Sequence, residues 1–167
     1  RGNIETRIKK MQEGMYDAVV LAEAGISRLG LDVNFSRLSQ TDFAPSPGQG
    51  ALAIICRKED VDTISILKKI EDEKSRCEIE AERALSQFID SGCRFPVGAL
   101  ATLDDKTLRL SVKAYSVDGK KAIQIEESGN NDDPRILGKN AGEKLKKQGV
   151  DGLAIEWRQK VEEWNKT

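Results

Sequence analysis

The sequence has no histidine and only three cysteines, so it lacks the side chains on which several common kinds of site depend. Histidine is the commonest transition-metal ligand and the usual general base, and its absence argues against a zinc enzyme and a Ser-His-Asp hydrolase. Cys56, Cys77 and Cys93 are odd in number and lack the close pairing of a zinc or redox site. We therefore expect no metal site.

Long apolar runs and a strong net charge are also missing. No apolar stretch approaches the length of a membrane span, and no signal peptide is visible. The net charge is −1, so no global field attracts nucleic acid or an anionic membrane. We predict a reduced, cytoplasmic setting without membrane or nucleic-acid partners. Any anion binding must then come from local clusters of charge.

The first part of the chain alternates helical and apolar patterns. Asn3 is suited to cap a helix whose apolar stripe includes Ile4 and Ile8. Residues 16–22, YDAVVLA, have the nearly continuous apolar character of a strand that is covered on both faces. A second short helix follows over about 24–29. This order predicts the later part of a parallel, layered α/β domain, whose preceding strand we expect to lie before Arg1.

The middle of the chain changes character. Residues 40–50 hold two prolines and two glycines and are typical of an ordered crossing loop or interdomain segment. Residues 51–56, ALAIIC, again have a buried-strand pattern, and helical spacing resumes over 61–70. The charged stretch 71–75 would suit a domain boundary.

The remainder has the pattern of a separate α+β unit. A helix is predicted over 75–89, and another from the Asp-Pro pair near 134 to about 148, before Gly149. Between them, turn residues at 104–106 and 118–120 separate three strand candidates, which lie near 97–103, 107–117 and 121–127. Trp157 and Trp164 lie on one face of a charged helical tail, and we interpret both as packing residues.

A cysteine stands between the predicted helix and the first of these strands. Residues 90–99 read DSGCRFPVGA, in which Gly92 and Pro96 end the helix and stiffen the chain around Cys93. A rigid loop on a packed scaffold is a common place for chemistry. Free cysteines are nevertheless among the most buried residue types, and on spacing alone a structural Cys93 is the commoner case.

Four stretches of the chain resemble the porphobilinogen deaminases, also called hydroxymethylbilane synthases. They occur in that family's order and close to its spacing, and they read RGNIETR at 1–7, YDAVVLAEAGISRLG at 16–30, PSPGQGALAIICR at 45–57 and SGCRFPVGA at 91–99. The resemblance implies a fold of α/β plus α+β type, with a partial periplasmic-binding-protein-like α/β domain before a small α+β domain with a three-stranded antiparallel sheet. It assigns 1–44 to the second half of domain 2, 45–72 to the crossing segment and returning piece of domain 1, and 73–167 to domain 3.

The resemblance also implies an activity. The family polymerises porphobilinogen into the linear tetrapyrrole hydroxymethylbilane and releases ammonia at each addition. Its dipyrromethane cofactor is held by a thioether to a cysteine, which Cys93 matches. The family's catalytic aspartate belongs to an N-terminal portion that we expect to be missing, so no catalytic residue is assigned in this chain and the fragment alone is predicted to be inactive.

Acidic side chains on the pyrroles make the growing product a polyanion, which guanidinium groups bind better than lysine does. Arg1, Arg7 and Arg28 match arginines that line the family's cleft and are the predicted substrate-binding residues. Gln49 matches a glutamine near the hinge, and with Cys93, Arg1 and Arg7 it makes up the predicted cofactor-binding set. Without the resemblance, Arg7 and Arg28 would be ordinary solvated helix residues and Gln49 part of a plain turn.

Two other functions stay open. A non-catalytic module could bind a small anion reversibly through the same arginines, and an assembly domain could use the tail with Trp157 and Trp164. The full-length enzyme is expected to be a monomer. In the fragment, strands at 16–22 and 51–56 would lack neighbours, so we expect association or disorder over 1–70 and good order over 75–148.

Overall fold

The structure is a computed structural model that describes residues 2–89 and 95–166. The chain divides into two compact units, residues 1–39 and 40–167. Across both described stretches, every helix is too short or too polar to cross a membrane.

The first unit contains two helices, α1 (Ile4–Gln12) and α2 (Glu23–Arg28). The side chain of Asn3 accepts a hydrogen bond from the Thr6 N–H at 2.9 Å, which confirms the predicted N-cap. Ile8 of α1 and Ile26 of α2 are buried. The small core of this unit therefore forms between the two helices.

The strand predicted at 16–22 is wrong for the described structure, because these residues form no ladder. A buried parallel strand needs hydrogen-bonded neighbours on its edges, and no strand is described in this unit. An ion pair contributes to the structure of this unit. Arg37 donates to the Glu23 carboxylate from its Nε at 2.9 Å and from a terminal nitrogen at 2.6 Å. This pair links the segment after α2 to the first residue of that helix.

The second unit begins with an irregular segment and α3 (Val61–Leu67), followed by a 3₁₀ turn at Lys68–Ile70. The strand predicted at 51–56 is also wrong, since these residues have no ladder partner among the described strands. Leu52 is 81% exposed and Ile55 is 92% exposed. Residues 51–56 are apolar as their sequence indicates, but no element of the described structure covers them.

The α+β part of this unit confirms the predicted architecture. Helix α4 (Glu73–Phe88) precedes a three-stranded antiparallel sheet in the order β1-β2-β3, and two helices follow it. The register pairs Ala99 with Val112 and Leu110 with Glu127. The bounds of the later elements are β1 Val97–Asp104, β2 Thr107–Tyr115, β3 Ala122–Asn130, α5 Pro134–Lys147 and α6 Val150–Lys166.

The core lies between one face of the sheet and helices α4 and α5. Alternate residues of β2 are buried, as its pattern predicts, and they pack with apolar side chains of both helices. A Cβ at Gly138 would lie against the Ala81 carbonyl oxygen and 2.8 Å from the Leu85 nitrogen. Glycine is therefore required here because the backbones of α4 and α5 approach closely.

A tryptophan side chain of helix α6 is hydrogen-bonded to the sheet. The Trp157 Nε1–H donates to the Tyr115 carbonyl at 2.9 Å, and the ring of Trp164 meets that of Trp157 edge to face, with centroids 6.0 Å apart. The predicted common face of the two tryptophans is confirmed. Trp157 is a packing residue, whereas Trp164 stays half exposed.

Candidate functional site

The predicted site residues fall in different parts of the chain. Arg1 and Cys93 lie outside the described residues, so their roles stay predictions. Arg7 and Arg28 are exposed on the first unit, and Gln49 is exposed on the second. The Arg7 Nε donates to the Gly2 carbonyl at 3.0 Å. Among residues 2–89 and 95–166, neither Arg7 nor Arg28 has a carboxylate partner, so both guanidinium groups are available to an acidic ligand.

Gln49 belongs to a tight turn. The Gln49 N–H donates to the Ser46 carbonyl at 2.9 Å, and Gly48, at the third position, has φ +76°. Proline at the second position and a glycine with positive φ at the third are typical of a type II turn. We call residues 44–50 the turn segment. Its conformation is set locally by Pro47 and Gly48, as the sequence analysis anticipated for an ordered loop.

The turn segment lies along the free edge of β1. The Ala99 N–H donates to the Pro45 carbonyl at 2.8 Å. A Cβ at Gly98 would come within 2.6 Å of both the Cβ and the carbonyl oxygen of Ala44. Only a glycine at position 98 therefore lets the turn segment approach β1 so closely, next to the connection whose sequence contains Cys93.

Two carboxylates of α4 satisfy the remaining edge amides. The Ala101 N–H donates to Glu82 Oε1 at 2.8 Å, and the Leu103 N–H donates to Glu78 Oε1 at 2.8 Å. The second oxygen of Glu82, Oε2, accepts the Gly48 N–H at 2.7 Å. Glu82 therefore connects α4, the edge of β1 and the turn segment through one side chain.

Glu82 is a buried ionisable group, with only 4% of its surface exposed. Burial raises its pKa above the ordinary value, and the hydrogen bonds from Ala101 and Gly48 partly offset that effect. The charge of Glu78 raises the pKa further. Both oxygens accept from N–H groups, which is the arrangement that suits an ionised carboxylate.

Glu82 is a site residue that the sequence did not predict. One signal was available, because position 82 falls at helical spacing with the buried Leu85 and Ile89, on the apolar side of α4. A glutamate on such a stripe needs a partner. Its donors at 48 and 101 could not be named without the tertiary structure.

Cys56 and Cys77, the two cysteines that the structure describes, are not arranged as a binding or catalytic site. Cys77 is partly buried against the core, where desolvation raises its pKa, so its structural role is confirmed. Cys56 is half-buried but does not end a strand as predicted. Within the described ranges, no group of three or more cysteine, aspartate or glutamate side chains is placed to hold a metal ion.

Two sequence models of one family match the chain in succession. Residues 1–65 match the family described as "Porphobilinogen deaminase, dipyromethane cofactor binding domain". Residues 76–147 match "Porphobilinogen deaminase, C-terminal domain". Together they cover residues 1–65 and 76–147, which include the first unit, most of the second and the Cys93 connection.

Curated relatives agree with these matches. A "Probable porphobilinogen deaminase" of Nitrosopumilus maritimus is 60% identical over 167 residues, which are 100% of this chain and 54% of that protein. A "Probable porphobilinogen deaminase" of Hyperthermus butylicus is 37% identical over 93% of this chain and 52% of its own length. A "Porphobilinogen deaminase" of Brevibacillus brevis is 37% identical over 93% of this chain and 50% of its own length. The chain thus spans about half the length of these relatives.

Proposed function

Since the chain belongs to the porphobilinogen deaminase family, we propose that it is the C-terminal portion of a transferase that builds hydroxymethylbilane from porphobilinogen. The observation that carries the proposal is the succession of the two family models along the chain, in the order cofactor-binding domain and C-terminal domain. The 60% identity to the Nitrosopumilus relative across the whole chain supports it.

Cys93 is the proposed attachment point of the dipyrromethane cofactor. Its sulfur would bond to the methylene carbon of a porphobilinogen unit once the C–N bond has broken, and the thiol proton would leave with the departing ammonia. The methylene carbon of a second unit would bond to the free ring carbon of the first pyrrole, whose hydrogen would leave as a proton with the second ammonia. An aminomethyl pyrrole that has lost ammonia is a strong electrophile, so an ordinary thiol suffices for the capture.

Arg1, Arg7 and Arg28 are the proposed partners of the pyrrole carboxylates, and Gln49 is proposed to approach the cofactor. The exposure of Arg7 and Arg28 supports this, because both guanidinium groups can make two-point contacts with a carboxylate. In this proposal, residues 1–44 belong to a periplasmic-binding-protein-like domain 2, 45–72 to domain 1 and 73–167 to domain 3.

The exposed apolar side chains of the second unit support the view that this chain needs a covering partner. Leu52 and Ile55 would be buried if domain 1 were complete, in line with the cost of leaving large apolar side chains in water. The family's aspartate would belong to the portion of the relatives that this chain does not span. The chain alone is therefore proposed to be inactive.

A chimera tests the proposed activity. The part of the Nitrosopumilus relative outside the matched region is fused to this chain, and ammonia release from porphobilinogen is measured. We expect turnover by the chimera and none by the chain alone. Cys93→Ser should abolish turnover, while Cys56→Ser and Cys77→Ser should retain it.

The same assay separates the proposal from the anion-binding alternative. A chimera that binds porphobilinogen reversibly, releases no ammonia and is indifferent to Cys93→Ser would show a binding module and contradict the enzyme. The porphobilinogen affinities of Arg7→Lys and Arg28→Lys should then be compared with that of the parent chimera. Lysine keeps the charge of arginine but cannot make the two-point contact with a carboxylate.

A further inference from the structure

Glu82 has more partners than its place on a helix requires. A carboxylate that only protected the edge of β1 would resemble Glu78, which accepts a single described edge amide from Leu103. Glu82 accepts Ala101 of the strand and also Gly48, which is 34 residues earlier in the chain. The second bond has no role in closing the sheet edge.

Three contacts hold the turn segment. Pro45 is held by Ala99, Ala44 packs against Gly98, and Gly48 is held by Glu82. All of these partners lie on α4 or on the first half of β1. Those two elements are joined by the connection whose sequence contains Cys93. The turn segment is consequently fixed to both elements that flank that connection.

We propose that Glu82 is a positioning residue. It holds the turn segment, and with it Gln49, against α4 and β1, the two elements that the Cys93 connection joins along the chain. Its two oxygens face donors on opposite sides, one in the strand and one in the turn. A neutral glutamine at this position could accept from only one of them, because its amide nitrogen would face the other N–H group. The consequence for cofactor attachment rests on the proposed function, whereas the anchoring itself does not.

Amide hydrogen exchange in this chain tests the anchoring. Glu82→Gln should speed exchange of the Gly48 N–H or of the Ala101 N–H, whichever faces the amide nitrogen, by about tenfold or more, as expected for loss of a hydrogen bond to a charged acceptor. Glu78→Gln is the matched control: it lies one turn away, contacts the same strand and keeps an acceptor for Leu103. It should leave exchange at Gly48 and Ala101 unchanged.

A second variant covers the case in which Glu82→Gln does not fold. Gly98→Ala leaves Glu82 intact but places a methyl group against Ala44, so it should displace the turn segment and also speed exchange at Gly48. The anchoring would be overturned by unchanged exchange at both Gly48 and Ala101 in folded Glu82→Gln, by unchanged exchange at Gly48 in folded Gly98→Ala, or by an equal increase in Glu78→Gln.

The chimera tests the consequence for cofactor attachment. Glu82→Gln should slow the appearance of the Cys93 adduct by roughly tenfold or more, because small displacements of positioning groups have large effects on rate. Glu78→Gln should remain near the parent rate. Equal rates in Glu82→Gln and Glu78→Gln would overturn the positioning role. An unmodified parent chimera would instead contradict the proposed function, and the exchange at Gly48 and Ala101 would still decide the anchoring.

Discussion

Glu82 is the residue at which burial, hydrogen bonding and charge meet. It lies on the apolar side of α4, and its two oxygens accept backbone N–H groups from Ala101 and Gly48. Removing a buried acceptor leaves its donors unsatisfied, which costs about 1–3 kcal/mol for each group. The helical spacing of apolar residues in α4 indicates that a glutamate at position 82 is unusual. The identity of its partners depends on separations of 19 and 34 residues, which no local pattern encodes.

The raised pKa of Glu82 predicts a specific pH dependence of stability. Because the folded-state pKa lies above the ordinary value of 4.5, the folded chain binds the proton more tightly than the unfolded chain. This contribution to stability is present below pH 4.5 and is lost as the pH rises through the raised value. The free energy of unfolding of the parent chain should therefore fall relative to Glu82→Gln over that interval, by at most about 1.4 kcal/mol per pH unit.

Urea unfolding followed by tryptophan fluorescence measures this difference. Both tryptophans lie on α6, so the signal reports the second unit. Glu78→Gln removes a charge that raises the pKa of Glu82, so its unfolding free energy should fall with pH less than that of the parent does. A parent-minus-Glu82→Gln difference that rises with pH would contradict the assignment.

At the scale of elements, the hairpins could be predicted because their signals are local. Asp105 and Gly119 both adopt positive φ in the turns that were predicted, and the alternation along β2 matches its burial. The apolar runs at 16–22 and 51–56 carry no local information about a partner. A strand exists only when another strand supplies hydrogen bonds, so these two predictions depended on chain segments beyond the run itself.

The close crossing of α4 and α5 predicts a large effect from one methyl group. Gly138→Ala would push a Cβ into the backbone of α4 near Ala81 and Leu85, which cannot move independently. We expect a loss of about 1–3 kcal/mol in unfolding free energy, as for other overpacked cores. Gly152→Ala in α6 is the matched control, because nothing lies within 4 Å of the added Cβ.

Alanine is the better helix former, so Gly152→Ala should be neutral or stabilising by up to about 1 kcal/mol. Both variants are measured by urea unfolding with tryptophan fluorescence. A Gly138→Ala variant as stable as the parent would show that the two helices can separate without loss, contrary to the described packing.

At the scale of the whole molecule, order is expected to be uneven. The core of buried side chains begins in α4 and continues into α6, whereas residues 51–70 expose most of their large apolar side chains. Local stability follows such burial. Hydrogen exchange across the chain should therefore show strong protection over 75–148 and weak protection or association-dependent protection over 1–70. Equal protection throughout would be inconsistent with this view.

The family could be predicted from sequence because four motifs keep their order along the chain, and the two family models confirm it. The proposed grouping of Cys93 with Arg1, Arg7 and Arg28 could not be derived in the same way, because such a grouping depends on how separate units are arranged. Residue identity alone assigns the chemistry of a thiol and of guanidinium groups.

The mass of the Cys93 peptide, taken from the chimera after incubation with porphobilinogen, tests the central claim most directly. The account predicts an increase equal to two porphobilinogen units less two ammonia molecules, located on Cys93 and absent from Cys93→Ser. An active chimera whose Cys93 peptide keeps its unmodified mass would contradict the claim.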